Sequence, residues 1–251
     1  MKRISKRLEP AAVAAWIAGR PALRALFFGR RQFCPLCESW TRGFGAHGPA
    51  SRRSPGVVCP VCRGHGRHRW AWLYLRERTN LLDGRPKRLL HFAPEMAMWP
   101  RLRAVPGVQY FSCDWNSPYA MTRMDISSLG WKTAAFEAIY CSHVLEHVGD
   151  DAGAMREMFR VLKPGGWALV MVPVSGETTL EDRSVTDPAE RERLYWQFDH
   201  VRLYGLDIRN RLAKAGFAVE TTYAREVVPP SDCRLMGIDP AEPIFLARKP
   251  S

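Results

Sequence analysis

Phe136-Glu-Ala-Ile-Tyr-Cys-Ser-His-Val-Leu-Glu-His-Val148 and, after a short gap, Met155-Arg-Glu-Met-Phe-Arg-Val-Leu-Lys-Pro-Gly-Gly166 decide the fold of this chain. The first run opens with the apolar, β-prone stretch Phe136–Cys141, which reads as a strand. Ala152, Met155, Phe159 and Leu162 then recur at helical spacing, so a helix is predicted over Asp151–Leu162 with Asp150 as its N-cap. Lys163-Pro164-Gly165-Gly166 stops it, since proline cannot continue a helix and glycine favours reversal. Trp167–Val172 reads as the next strand. Strand, crossing helix and strand in this order make the unit of a parallel sheet.

The alternation continues on both sides of that unit. Arg88–Phe92, Val108–Ser112, Phe217–Thr222 and Ile244–Ala247 read as further strands, and Leu206–Ala215, closed by Gly216, as a second helix. Residues 87–251 therefore predict an α/β domain with a mostly parallel, doubly wound sheet. The stretch Val174–His200 is charged and poor in apolar periodicity, and it reads as a lid or insertion within 174–204.

The front of the chain differs. Residues 1–28 contain a basic helix, from about residue 5, whose apolar stripe (Leu8, Ile17, Leu23, Leu26) is broken by Pro21. Residues 29–66 are rich in Gly, Pro, Arg and Ser and carry Cys34-Pro-Leu-Cys37 and Cys59-Pro-Val-Cys62. Two such pairs supply four sulfurs to one tetrahedral ion, so Cys34, Cys37, Cys59 and Cys62 predict a zinc ribbon. A closed four-sulfur shell leaves no open position, which makes that zinc structural. A ribbon this small is expected to form a knob. Residues 67–86 read as a connecting helix to Arg78 and a hinge at Asn80–Pro86.

Of the 37 Lys and Arg residues, 19 lie within residues 1–88, against 4 of the 25 acidic ones. That imbalance fits an anionic partner, such as nucleic acid reached through Arg42, Arg52, Arg53, Arg63, Arg67 and Arg69, and equally a solvated basic face. An odd total of 7 cysteines in paired and isolated positions suits a reducing compartment better than a disulfide framework. With no apolar run long enough to span a bilayer, the expectation is a cytoplasmic protein.

The His143-Val-Leu-Glu-His147 run and the Leu162-Lys-Pro-Gly-Gly166 turn, at this separation, resemble the class I S-adenosylmethionine-dependent methyltransferases, in particular the broad group acting on small molecules. The resemblance spans roughly Lys87 to Lys249 and implies a seven-stranded Rossmann-like sheet with an antiparallel last strand. It places Asp114 on the cofactor's ribose hydroxyls, Asp125 and Ile126 beside the adenine, and Ser142 and His143 near the methionine portion. The family's acidic and glycine-rich first turn is replaced by His91-Phe92-Ala93-Pro94-Glu95. There His91, Ala93 and Glu95 are the expected cofactor contacts, with Glu95 taking the ammonium group. Asp199-His200-Val-Arg202-Leu-Tyr204-Gly205 resembles a segment placed over the substrate. The candidate base is His200 oriented by Asp199, or else His147.

The implied activity is methyl transfer from S-adenosylmethionine to a hydroxyl or amine of a small molecule, sugar or modified peptide. Two alternatives stand beside it. One is an RNA methyltransferase gripping its substrate through the ribbon, although Cys141-Ser-His-Val stands where a base-binding Asn-Pro-Pro-Tyr motif would be expected. The other is a non-catalytic adaptor whose altered first turn has lost the cofactor.

Overall fold

A computed structural model describes residues 11–48 and 54–251 of the chain. Residues 5–10 of the expected basic helix, with Leu8, lie outside the described residues, as do Arg52 and Arg53. Helix α1 spans Ala11–Leu26 and continues through Pro21. Two small antiparallel hairpins follow, β1 (Gln32–Cys34) with β2 (Ser39–Thr41) and β3 (Gly45–His47) with β4 (Ser54–Val58). Then come α2 (Gly66–Arg78), β5 (Lys87–Phe92), α3 (Trp99–Arg103), β6 (Val108–Asp114), β7 (Thr122–Arg123) and β8 (Phe136–Ser142). The chain ends with α4 (Asp151–Val161), β9 (Leu162–Met171), α5 (Pro188–Tyr195), α6 (Ile208–Lys214), β10 (Ala218–Tyr223), α7 (Pro230–Met236) and β11 (Pro243–Arg248).

The seven-stranded sheet has the order β10-β11-β9-β8-β5-β6-β7. Strands β5 to β9 pair in parallel, whereas β11 is antiparallel to both neighbours. The expected doubly wound sheet with an antiparallel last strand is thus present. Phe92 sits beside Cys113 on one side and Cys141 on the other, so β5, β6 and β8 release their following loops at one level. The strand order reverses between β5 and β8, which opens a crevice at those carboxyl ends.

Alternate residues feed two cores, one on each face of the sheet. Leu90, Ile139, Val170 and Phe245 pack with Ala154, Met155, Met158 and Val161 of α4. The Asp150 carboxylate caps α4 by accepting from the Gly153 amide at 2.8 Å. Burying a side chain such as Met155 or Met158 contributes about 1.5–3 kcal/mol. On the other face Leu89, Tyr140, Leu169 and Leu246 share one core with α2 and with the four paired cysteines.

That shared core changes the picture of the front end. Residues His68 to Leu75 of α2 are all buried, so α2 fills the space between ribbon and sheet. The Arg69 guanidinium, fully buried, donates to the carbonyls of Gly64, Val57 and Gly237 at 2.8–2.9 Å and lies over the Phe44 ring. It therefore joins ribbon to α7 and is withdrawn from any phosphate. Gly66 permits this approach, since a Cβ there would stand 2.6 Å from the Gly237 carbonyl oxygen. The ribbon thus packs on the sheet through α2, and the Trp167 indole N–H donates to Asn80 Oδ1 at 2.8 Å at the start of the 80–86 segment.

Candidate functional site

The four paired cysteines are buried, unbridged by disulfides, and their sulfurs lie within 4.8 Å of one another. Cys34 Sγ is 3.5 Å from Cys62 Sγ, and Cys37 Sγ is 3.7 Å from Cys59 Sγ. Sulfurs about 2.3 Å from a tetrahedral zinc are roughly 3.8 Å apart, so the donor set and its spacing fit zinc. His47 and His65 contact each other ring to ring, and neither belongs to the cluster. The knuckle around Leu36 rests on the segment after β5: Arg101 donates to the Leu36 carbonyl and pairs with Glu38 at 2.5 Å.

At the carboxyl ends of β5, β6 and β8 lies a cleft of about 620 Å³. Ala93, Asp114, Asp125, Ile126, His143, His147 and Asp199 line it. His91, Glu95, Ser142 and His200, also expected at the site, do not. Asp114 Oδ1 accepts the amides of Asn116 and Ser117, which closes the turn after β6 and leaves Oδ2 for a ligand. Asp125 Oδ1 accepts the amide and hydroxyl of Ser127 at 2.8 and 2.7 Å. The sequence reading missed Phe92, Trp115 and Met124, which also line the cleft. Trp115, 59% exposed directly after Asp114, carried the usable signal: a large ring next to a strand-end carboxylate.

Ala93 and His143 both have left-handed backbones, with φ of +47° and +53°. A residue with a Cβ pays about 1–2 kcal/mol for that conformation. Ala93 therefore keeps the backbone shape that glycine normally supplies at such a turn.

Glu95 turns away from the cleft into a chain of hydrogen bonds. The His65 amide donates to His68 Nδ1 at 3.0 Å, which leaves the Nε2 proton of His68 to donate to Glu95 Oε1 at 3.1 Å. His91 Nε2 donates to Glu95 Oε2 at 3.1 Å, while the Tyr110 hydroxyl donates to His91 Nδ1 at 2.9 Å. Burial pushes His68 down to about 4, so this imidazole is neutral at pH 7. Burial opposes the charge on Glu95, but the two imidazoles outweigh it and hold the carboxyl well below the ordinary range. Each Glu95 oxygen thus accepts one histidine N–H, and the side chain is 17% exposed.

The far end of the cleft is bounded by Asp199 and the segment that follows it. The Val201 amide donates to the Glu146 carbonyl at 2.9 Å. Arg202, 1% exposed, donates to the carbonyls of Leu145 and Val148 at 2.8 and 2.5 Å and to Glu181 at 2.8 Å. These bonds clamp residues 199–204 onto the single helical turn Leu145–His147. Asp199 pairs with His147, Oδ2 to Nδ1 at 3.3 Å, instead of orienting His200. Asp199 sits in a turn closed by the His200 amide donating to the Gln197 carbonyl at 3.2 Å, and the clamp brings its carboxylate to the neighbouring loop. The His200 Nδ1–H donates to the Tyr195 carbonyl at 2.7 Å, and its ring packs edge-on against His147 at 4.6 Å. Burial lowers the His200 pKa.

The methyltransferase-domain family matches residues 39–222. A mitochondrial arginine-hydroxylase of Danio rerio, NDUFAF5, is 32% identical over 112 residues, which is 44% of this chain. The match spans only 35% of that protein's length. Among solved structures, the cyclase SpnF superposes with a TM-score of 0.53 at 18% identity, over 96% of this chain and 97% of its own. Phosphoethanolamine N-methyltransferase 2 of Haemonchus contortus, solved with S-adenosyl-L-methionine, gives 0.53 at 17% identity, over 78% of this chain and 55% of its own. At such identities these structures speak for the fold; a cyclase and a methyltransferase share it, so the activity must be argued from the site.

Proposed function

The chain belongs to the methyltransferase-domain family, and from that premise we propose that it transfers a methyl group from S-adenosylmethionine to a hydroxyl or amine of a small molecule, sugar or modified peptide. One observation carries the reading: a single cleft runs from the ribose-side acids Asp114 and Asp125 to the His147–Asp199 pair under the lid. Asp114 and Asp125 would hold the ribose and the adenine edge, and His143 the methionine end. The cofactor supplies an electrophilic methyl group on a sulfonium. The protein aligns the two reactants and excludes water, which is where most of the acceleration of a displacement arises.

The acceptor proton is taken at the imidazole end of the cleft. His143 and His147 both line the cleft, and it is His147 whose Nδ1 side Asp199 orients. His200 stands behind it, 5% exposed, with Nδ1 engaged by Tyr195. The left-handed backbone of Ala93 supports a retained cofactor turn and speaks against the adaptor reading. Zinc in the ribbon is structural and braces the segment after β5, and all seven cysteines being free suits a reducing compartment such as the cytoplasm. Among the described residues no helix is long and apolar enough to cross a membrane.

Calorimetric titration with S-adenosylmethionine and S-adenosylhomocysteine tests the reading, followed by transfer of a labelled methyl group to a panel of hydroxyl and amine acceptors. One-to-one micromolar binding is expected. A folded, zinc-loaded protein that binds neither compound would overturn it.

A further inference from the structure

Behind His147, at the far end of the cleft, stands a carboxylate that the fold does not satisfy. Glu146 is 1% exposed, and neither of its side-chain oxygens has an aligned hydrogen-bond donor among the described residues. Its nearest basic neighbour is His143, whose Nδ1 stands 3.2 Å from Oε1 but off the line of a hydrogen bond. Burying an unpaired carboxylate is strongly unfavourable, so such a group normally faces a cation.

Two imidazoles converge on the same place. Glu146, His147 and His200 each present a ligand atom, and the three atoms lie within 4.8 Å of one another. The opposite nitrogen of each ring is already committed. His147 Nδ1 faces the Asp199 carboxylate, and His200 Nδ1 donates to the Tyr195 carbonyl. A carboxylate or backbone carbonyl on the far nitrogen is the arrangement that metal-binding histidines show, because it fixes the tautomer and aims the Nε2 lone pair at the ion. Three electron-pair donors therefore meet with no hydrogen-bonding proton among them.

We propose that Glu146, His147 and His200 bind a divalent first-row transition cation, distinct from the zinc of the ribbon, at the acceptor end of the cleft. Ligands about 2.0–2.1 Å from a tetrahedral ion are roughly 3.4 Å apart, so closure needs side-chain shifts of at most about 1.4 Å. Two imidazoles and one carboxylate suit a borderline cation better than magnesium or calcium, which prefer all-oxygen shells. Three protein ligands leave at least one position open, in contrast to the closed four-sulfur site. His147 and Asp199 line the cleft, so that open position is reached from it. The inference rests on the methyl-transfer reading and deepens it. A hydroxyl or amine at the open position would be oriented and made more acidic, as water is on zinc; its proton would pass to the Asp199 carboxylate, which lines the cleft, and the imidazoles would act as ligands in place of bases.

Cobalt(II) is the probe, added to protein whose ribbon is already loaded with zinc. Calorimetry counts the sites, and the visible spectrum reports their ligands, since a nitrogen–oxygen site lacks the intense thiolate charge-transfer bands of a cysteine site. The wild-type protein is expected to bind one cobalt ion per chain without those bands. Glu146→Gln and His147→Ala should each weaken it by at least tenfold; His147 is part-exposed, so its variant keeps the test usable should the buried Glu146 variant misfold. No cobalt beyond the ribbon, or equal binding by both variants, would overturn the proposal. S-adenosylhomocysteine is titrated in parallel. Normal binding of it without cobalt sinks only the cation site, whereas cobalt binding without it sinks the methyl-transfer reading.

Discussion

Asp114→Asn separates the two tasks of one carboxylate. Both turn bonds of Asp114, from the amides of Asn116 and Ser117, fall on Oδ1. The amide oxygen of asparagine can accept both, so the turn after β6 should survive. The second oxygen becomes an NH₂ group, which cannot accept from a ribose hydroxyl. Losing one hydrogen bond to a charged acceptor costs about 1.5–3 kcal/mol, or roughly 10- to 150-fold in affinity at 1.4 kcal/mol per factor of ten. Asp114→Ala should lose the same binding and also the two turn bonds, for a further loss of about 1–3 kcal/mol of stability. Calorimetry with S-adenosylhomocysteine and denaturant unfolding of all three proteins measure the two quantities independently. A folded Asp114→Asn protein that binds like the wild type would refute the ribose assignment.

Cys59→Ser should abolish stoichiometric zinc, lower the melting temperature and weaken S-adenosylhomocysteine binding, because the Leu36 knuckle rests on the segment after β5; metal analysis showing one zinc per chain in the variant would refute the four-sulfur shell. Ala93→Gly should stabilise the protein by up to about 1 kcal/mol in urea unfolding, since relief of the left-handed strain exceeds the added chain entropy, and a clear loss would contradict the observed turn. His68 has its folded pKa lowered to about 4 against about 6.5 unfolded, so the unfolded chain binds the extra proton first and stability present above pH 6.5 is lost as pH falls. Between pH 7 and pH 5 this amounts to about 2 kcal/mol, and His68→Gln should flatten that slope; identical slopes would refute a neutral buried His68. Arg202→Met should cost about 1–3 kcal/mol by leaving the Leu145 and Val148 carbonyls without their donor, Glu181 remaining paired with Arg211, and protection of the amides of residues 199–204 in hydrogen exchange should fall with it.

Regular elements were legible because their signals are local. The strand at Phe136, the Asp150 cap and the Lys-Pro-Gly-Gly stop each act within a few residues, and the observed ends of β8 and α4 fall within a residue of the expected ones. The two-residue strand β7 and the short helices α3 and α7 escaped notice, since neither period has room to develop in so few residues. Cysteine spacing announced the ribbon for the same local reason. Its burial against the sheet did not show, because α2 carries His68 and Arg69 ahead of its apolar residues Trp70, Leu73 and Tyr74, and only the fold reveals that the partners of His68 and Arg69 lie at Glu95 and Gly237. The pairing of Asp199 with His147 was equally out of reach: it depends on Arg202 finding four acceptors, at Leu145, Val148, Gly149 and Glu181, in segments 21 to 57 residues before it in sequence.

The same long-range contacts explain how an unusual first turn is maintained. Ala93 and His143 hold left-handed backbones at the ends of adjacent strands β5 and β8, and together they cost about 2–4 kcal/mol. Such strain persists only where the surroundings fix the chain more firmly than the strain releases it. For His143 the amide is bound to the Met171 carbonyl at 2.8 Å, which extends the β8–β9 pairing. For Ala93 the amide is bound to the Cys113 carbonyl at 2.9 Å, and two residues later Glu95 is tied by His68 and His91. Since His68 belongs to α2, and α2 is held by the ribbon through Arg69, the ribbon restrains the turn at the mouth of the cleft. A glycine-rich turn would adopt that shape without help. In this chain the shape is imposed from outside, and that gives the zinc ribbon a role in the candidate site even though its sulfurs never reach the cleft.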